Sequence, residues 1–135
     1  MKIKWLWFAI IIGILLLAMA VAAQTTGRSP ELTQFYNDTN VKYFGARLPS
    51  GLVMLDKSIH PPDLGVTVPC GEHCYTITVF SYWVPDTNEQ RMVVLHEMCH
   101  VDLEETNTVE LDMHGPAFQA CMRKLAAEGA FDKLW

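Results

Sequence analysis

The chain has 135 residues, half of them hydrophobic, with 15 acidic against 10 basic side chains and a formal charge of −5. That length allows one domain with a modest core. The acidic balance, with no run of Lys and Arg, argues against a nucleic-acid partner, which would need a basic surface.

Lys2 and Lys4 precede nineteen residues without a charge, Trp5 to Ala23, closed by Ala18, Ala20, Ala22 and Ala23. This is the pattern of a secretory signal peptide with an A-x-A cleavage site at Ala20-Val21-Ala22, or of an N-terminal membrane anchor of the same sequence type. The run has no polar face, which argues against a helix packed on a soluble core. In both cases the basic end stays in the cytoplasm and the rest is exported. The domain is then secreted or periplasmic, or held at the membrane through residues 5–23. Without residues 1–23 the formal charge becomes −7. Residues 24–29 read as a polar linker and residues 30–135 as the domain.

Ser29-Pro30-Glu31 starts a helix, with Ser at the N-cap and Pro at the first helical position. Leu32, Phe35, Tyr36, Tyr43 and Phe44 keep a helical period along one face, which makes them core. Gly45 to Gly51 turns the chain. Leu52–Leu55, Gly65–Val68 and Tyr75–Phe80 read as strands, and their alternation suits a small antiparallel sheet. His60, in a Pro-rich loop, and His73 have no partner at ligand spacing and read as surface residues.

Four cysteines in an exported chain favour pairing. Cys70 and Cys74 bracket the turn between two strand candidates, where a small disulfide loop would pin a hairpin. A metal knuckle including His73 has too few ligands to close. Four cysteines allow three connectivities, and spacing does not choose among them.

The chemistry is concentrated at His96-Glu97-Met98-Cys99-His100, an H-E-x-x-H pattern. Pro85-Asp86-Thr87-Asn88-Glu89-Gln90 ahead of it offers two capping boxes, Asp86 with Glu89 or Thr87 with Gln90. No Gly or Pro interrupts Asn88 to Glu105, and Val93, Val94, Leu95 and Met98 supply an apolar stripe. On such a helix His96 and His100 lie one turn apart on one face, so both imidazoles reach one Zn2+. Glu97 then lies beside the metal-bound water as its general base. Tyr82 and Trp83, just ahead, either line the cleft or pack in the core.

Catalytic zinc needs a third protein ligand. Glu104, Glu105, Glu110, Asp112 and His114 are the acidic and imidazole side chains downstream. Glu104 shares the face of His100, but three ligands along one straight helix diverge too far to clamp an ion. His114 stands at the start of another helix after a polar loop and can fold back over the first two. It is the preferred ligand, with Glu110 second.

His96-Glu97-Met98-Cys99-His100, followed after thirteen residues by His114-Gly115-Pro116 and then Phe118, resembles the SprT-like (Spartan-type) zinc metallopeptidases. Tyr36-Asn37, Tyr43-Phe44-Gly45 and Leu48-Pro49 are similar to that family's first helix and the turn after it. The resemblance spans about residues 31 to 126. It implies zinc held by His96, His100 and His114. It also places a cysteine at Cys99 with no ligand duty, so Cys99 and Cys121 read as small buried packers. Some relatives act on DNA-bound proteins, but this chain is acidic, exported and has no basic tail, so the DNA-linked function is not carried over. The last helix, about Pro116 to Glu128, carries Phe118, Cys121, Met122 and Leu125 on one face and stops at Gly129.

The resulting expectation is an α+β domain: an N-terminal helix, a three-stranded antiparallel sheet, the H-E-x-x-H helix and a C-terminal helix, a minimal zincin-like metalloprotease. Its activity would be zinc-dependent hydrolysis of peptide bonds outside the cytoplasm, with a protein or peptide as partner. Two other readings fit the same residues, a zinc-stabilised binding module without catalysis and a hydrolase of a non-peptide amide such as a cell-wall cross-link. Glu97 counts against the first, because a purely structural site needs no base.

Overall fold

The computed structural model describes residues 26–59 and 63–135. The expected export segment, Trp5 to Ala23, and His60 lie outside the described residues. Among the described residues no helix is long and apolar enough to cross a membrane. The elements run β1 (Thr26–Arg28), α1 (Pro30–Phe44), β2 (Ser50–Asp56), β3 (Gly65–Gly71), β4 (Cys74–Phe80), α2 (Thr87–Glu105) and α3 (Pro116–Ala127).

The first helix forms as the sequence dictates. Ser29 Oγ accepts a hydrogen bond from the Leu32 N–H at 3.2 Å, and Pro30 opens the first turn. Gly45 ends the helix at φ 62°, where a residue without a Cβ is least strained, and its N–H returns to the Asn40 carbonyl. The Asn40 side chain then clamps the following turn, donating to Leu48 O at 2.9 Å and accepting from Leu48 N at 3.1 Å. Tyr36 is fully buried and donates from its hydroxyl to Pro49 O at 2.8 Å. Its ring lies against Gly51, where a β-carbon would fall 2.5 Å from Cε1, so only glycine lets β2 pass this close.

Among the described residues the sheet has four strands in the order β1-β2-β4-β3, not three. Part of the expected linker, Thr26–Arg28, is the extra strand and pairs antiparallel with β2. All three of its residues are exposed, so it carries no alternation to read. The sheet is also mixed rather than antiparallel, because β2 and β4 run parallel from Ser50↔Cys74 to Asp56↔Phe80. The β3–β4 hairpin is antiparallel because its connection is only two residues, Glu72 and His73. β2 pairs with the far member of that hairpin, which leaves β3 at an edge. Neighbour order of this kind is a tertiary choice that alternation within each strand does not encode.

Cys70 and Cys74 form the disulfide expected at this hairpin. His73 is exposed in the turn at φ 58°.

Helix α2 is the centre of the molecule. Asp86 is its N-cap, accepting from Asn88 N at 2.8 Å and Glu89 N at 3.2 Å, so Asp86 rather than Thr87 is the capping residue. Val94, Leu95, Met98, Cys99 and Val101 are wholly buried, and the helix packs against α1, α3, β3 and β4. Burying side chains of this size contributes roughly 1.5–3 kcal/mol each before the entropy of ordering them is subtracted. The His96-Glu97-Met98-Cys99-His100 motif is thus carried by an element fixed by packing on several sides, which suits a site that needs tight geometry.

Candidate metal centre

His96 and His100 project from one face of α2, and His114 meets them from the loop between α2 and α3. Their Nε2 atoms form a small triangle, with His96–His114 at 3.0 Å, His100–His114 at 3.2 Å and His96–His100 at 3.3 Å. Tetrahedral zinc with Zn–N bonds of about 2.0–2.1 Å requires ligand atoms roughly 3.3 Å apart. Three imidazoles with converging nitrogens at that separation fit Zn2+ in both donor type and spacing.

Burial, followed by the neighbouring imidazoles His100 and His114, pushes the His96 pKa down to about 4. Burial, followed by His114, also lowers that of His100. Both rings are therefore neutral at pH 7 and present lone pairs, the form a metal requires.

Phe118, in the first turn of α3, holds all three rings. It is buried, with its centroid 4.7 Å from His96, 4.5 Å from His100 in a stacked arrangement, and 4.7 Å from His114. The His-Gly-x-x-Phe spacing thus has a physical meaning: His114 and the aromatic floor under the three rings come from one short stretch at the start of α3.

The turn bearing His114 is set by acidic side chains. Asp112 Oδ1 accepts from the His114 N–H at 3.0 Å. Glu110, the second choice for third ligand from sequence, has another task. Its Oε1 accepts from Ala117 N at 2.7 Å and its Oε2 from Phe118 N at 3.1 Å. It caps α3 in place of the N-cap residue Gly115, which has no side chain to do so. A β-carbon on Gly115 would stand 2.8 Å from that same Oε1, so glycine here makes room for the cap. A carboxylate at a helix N-terminus also meets the positive end of the helix dipole. Glu110→Ala is therefore expected to lower stability by about 1–2 kcal/mol while one zinc per chain is retained. Denaturant melts with parallel metal analysis check this, and loss of the zinc at unchanged stability would show that Glu110 is a ligand.

Glu97 is buried, and burial raises its pKa above the ordinary carboxylate value. Its Oε2 accepts a hydrogen bond from Thr67 Oγ1 at 2.7 Å. Thr67 lies on β3, thirty residues away in sequence, and sequence reasoning missed it. A β-carbon on Gly65, two positions earlier on the same face, would fall 2.6 Å from Val93 Cγ1 and 3.1 Å from Glu97 Oε1. β3 therefore crosses directly over the carboxylate. Of the two aromatics ahead of α2, Trp83 lines the cleft around the histidines and stacks edge-on with Tyr82, their centroids 5.0 Å apart.

Cys99 and Cys121 are not separate packers, because they form a second disulfide. It joins the residue before His100 to the middle of α3 and so closes the segment that carries His114. Cross-links closing loops of this size stabilise by about 3 kcal/mol in the chain-entropy picture.

No curated protein and no solved structure matches the chain. A family model does: the SprT-like family, zinc-associated and metallopeptidase-like, matches residues 32–133, and the chain belongs to that family.

Proposed function

We propose that this protein is a zinc-dependent peptidase that hydrolyses peptide bonds outside the cytoplasm. The observation that carries the reading is the convergence of the His96, His100 and His114 Nε2 atoms within 3.0–3.3 Å of one another, with the buried Glu97 on the same helix. His96, His100 and His114 would hold the metal. Zinc, when bound, lowers the pKa of water to about 7 and polarises a carbonyl oxygen.

The chain's own residues account for the remaining steps. Glu97 Oε2 is engaged by Thr67, while Oε1 has no hydrogen-bond partner among the described residues. Oε1 is thus the atom that takes the proton from the attacking water and later delivers it to the leaving amine. Burial strengthens its basicity, and Thr67 fixes its rotamer.

β3 suits an extended substrate. The Phe80 N–H donates to Leu64 O at 2.9 Å, which with the register makes Leu64, Val66 and Val68 the residues bonded to β4. The N–H and C=O groups of Gly65 and Thr67 then point to the open edge, beside Glu97. A peptide adding there as a strand gains main-chain hydrogen bonds next to the reacting groups.

Export is supported by the charge-free run from Trp5 to Ala23 and by two disulfides, which persist in oxidising compartments. The peptidase reading is tested with the full chain and a denatured protein substrate. Cleavage should stop on metal chelation and return on adding zinc. Cleavage indifferent to both treatments, or none, would contradict it.

A further inference from the structure

The three histidines and Glu97 open onto a cleft of about 1250 Å³. Sites for single drug-sized molecules run to roughly 300–1,000 Å³, so this one has room for several residues of a peptide. Its lining has an unusual chemistry. Trp83 contributes from the approach to α2, while Val109, Met113 and Trp135 contribute from the His114 loop and the segment after α3.

These side chains are not serving the core. Val109 is 93 % exposed, Met113 75 % and Trp135 88 %. The alternation Val109-Glu110-Leu111-Asp112-Met113 directs Glu110 to cap α3 and Asp112 to hold the turn, and leaves the apolar members outward.

The charges have one sign. Asp63, Glu89 and Glu104 lie on the lining, and among the described residues no Lys or Arg does. The nearest basic residue on α2, Arg91, is drawn away to Glu31 at 2.7 Å. Away from the zinc, an acidic side chain brought onto this lining would meet like charge with no Lys or Arg among the described residues to pair with, a cost that grows as water is excluded.

We propose that this cleft selects extended peptides with large apolar side chains flanking the scissile bond, neutral or basic in net charge, and discriminates against acidic ones. The inference rests on the peptidase reading above and specifies its substrate class. Apolar substrate side chains would cover Val109, Met113 and Trp83, while the backbone pairs with Gly65 and Thr67.

The test uses the zinc-loaded full chain and a mixture of unstructured synthetic peptides, with cleavage positions and rates read by mass spectrometry. Glu97→Gln serves as the blank for contaminating proteases. Leu, Phe or Met should be enriched beside the cut. Peptides with Asp or Glu within two residues of it should be cut at least about tenfold more slowly, within the range that single pocket contacts supply. Val109→Lys, at a solvent-exposed position, should reduce that penalty, and Trp135→Lys, also exposed, provides an independent second variant from the segment after α3. Equal rates on apolar, small and acidic peptides would overturn the selectivity and leave the peptidase reading standing. No cleavage of any peptide would overturn both.

Discussion

Glu97→Gln is expected to keep one bound zinc and to lose proteolysis by a factor of roughly a hundred or more, the usual worth of a positioned general base. The structure makes this an informative substitution. The amide oxygen can still accept the Thr67 hydroxyl hydrogen bond, now made to Glu97 Oε2 at 2.7 Å, so the side chain should keep its place. Glutamine also removes a buried carboxylate, whose desolvation is unfavourable, so the fold should be no less stable. His96, His100 and His114 are untouched. Metal analysis and a cleavage assay on one preparation check the pattern. Loss of zinc together with activity would mean that Glu97 serves the metal site rather than the proton. Unchanged activity would remove it from the mechanism.

His114→Ala should produce the opposite pattern. Removing an outer-shell partner of a metal ligand typically costs about 10–100-fold in affinity, and removing a ligand should cost more. The remaining pair, His96 and His100 with Nε2 atoms 3.3 Å apart, cannot enclose an ion from one helix face. The stability gain from zinc should vanish as well. Saturating a site at about a hundred times its Kd stabilises the native state by about 2.7 kcal/mol, and His114→Ala should show none of it in a thermal melt with and without zinc. Phe118 stays in place against His96 and His100, so the variant should fold. A zinc-induced rise in Tm equal to that of the wild type would rule His114 out as a ligand.

How much of this could be read from the residues differs by element. α2 was legible because its signals are local: an acidic cap, an uninterrupted helical stretch and two histidines one turn apart. α1 was legible for the same reason, from Ser29 and Pro30 at its start to Gly45 at its end. The sheet was legible only as strands. β1 is three exposed residues without alternation, and the parallel pairing of β2 with β4 depends on which neighbour each strand finds in three dimensions.

Within the candidate site, the grouping of His96, His100 and His114 followed from spacing and from the family resemblance. Thr67 gave no such signal, since a threonine in a strand is ordinary and its partner lies thirty residues on. Glu110 caps α3 from seven residues before Ala117, outside the three-residue spacing of a capping box, so its role was hidden. The Cys99–Cys121 bridge was within reach: once Cys70 and Cys74 close the hairpin, only one pair is left. Reading both as apolar packers on their helices obscured that elimination.

The three-histidine centre is tested most directly by zinc X-ray absorption on the zinc-loaded full chain. The expected spectrum has one zinc per chain with three imidazole nitrogens and one further light atom at about 2.0–2.1 Å, and no sulfur at about 2.3 Å. Sulfur in the first shell, or fewer than three imidazoles, would contradict the centre formed by His96, His100 and His114.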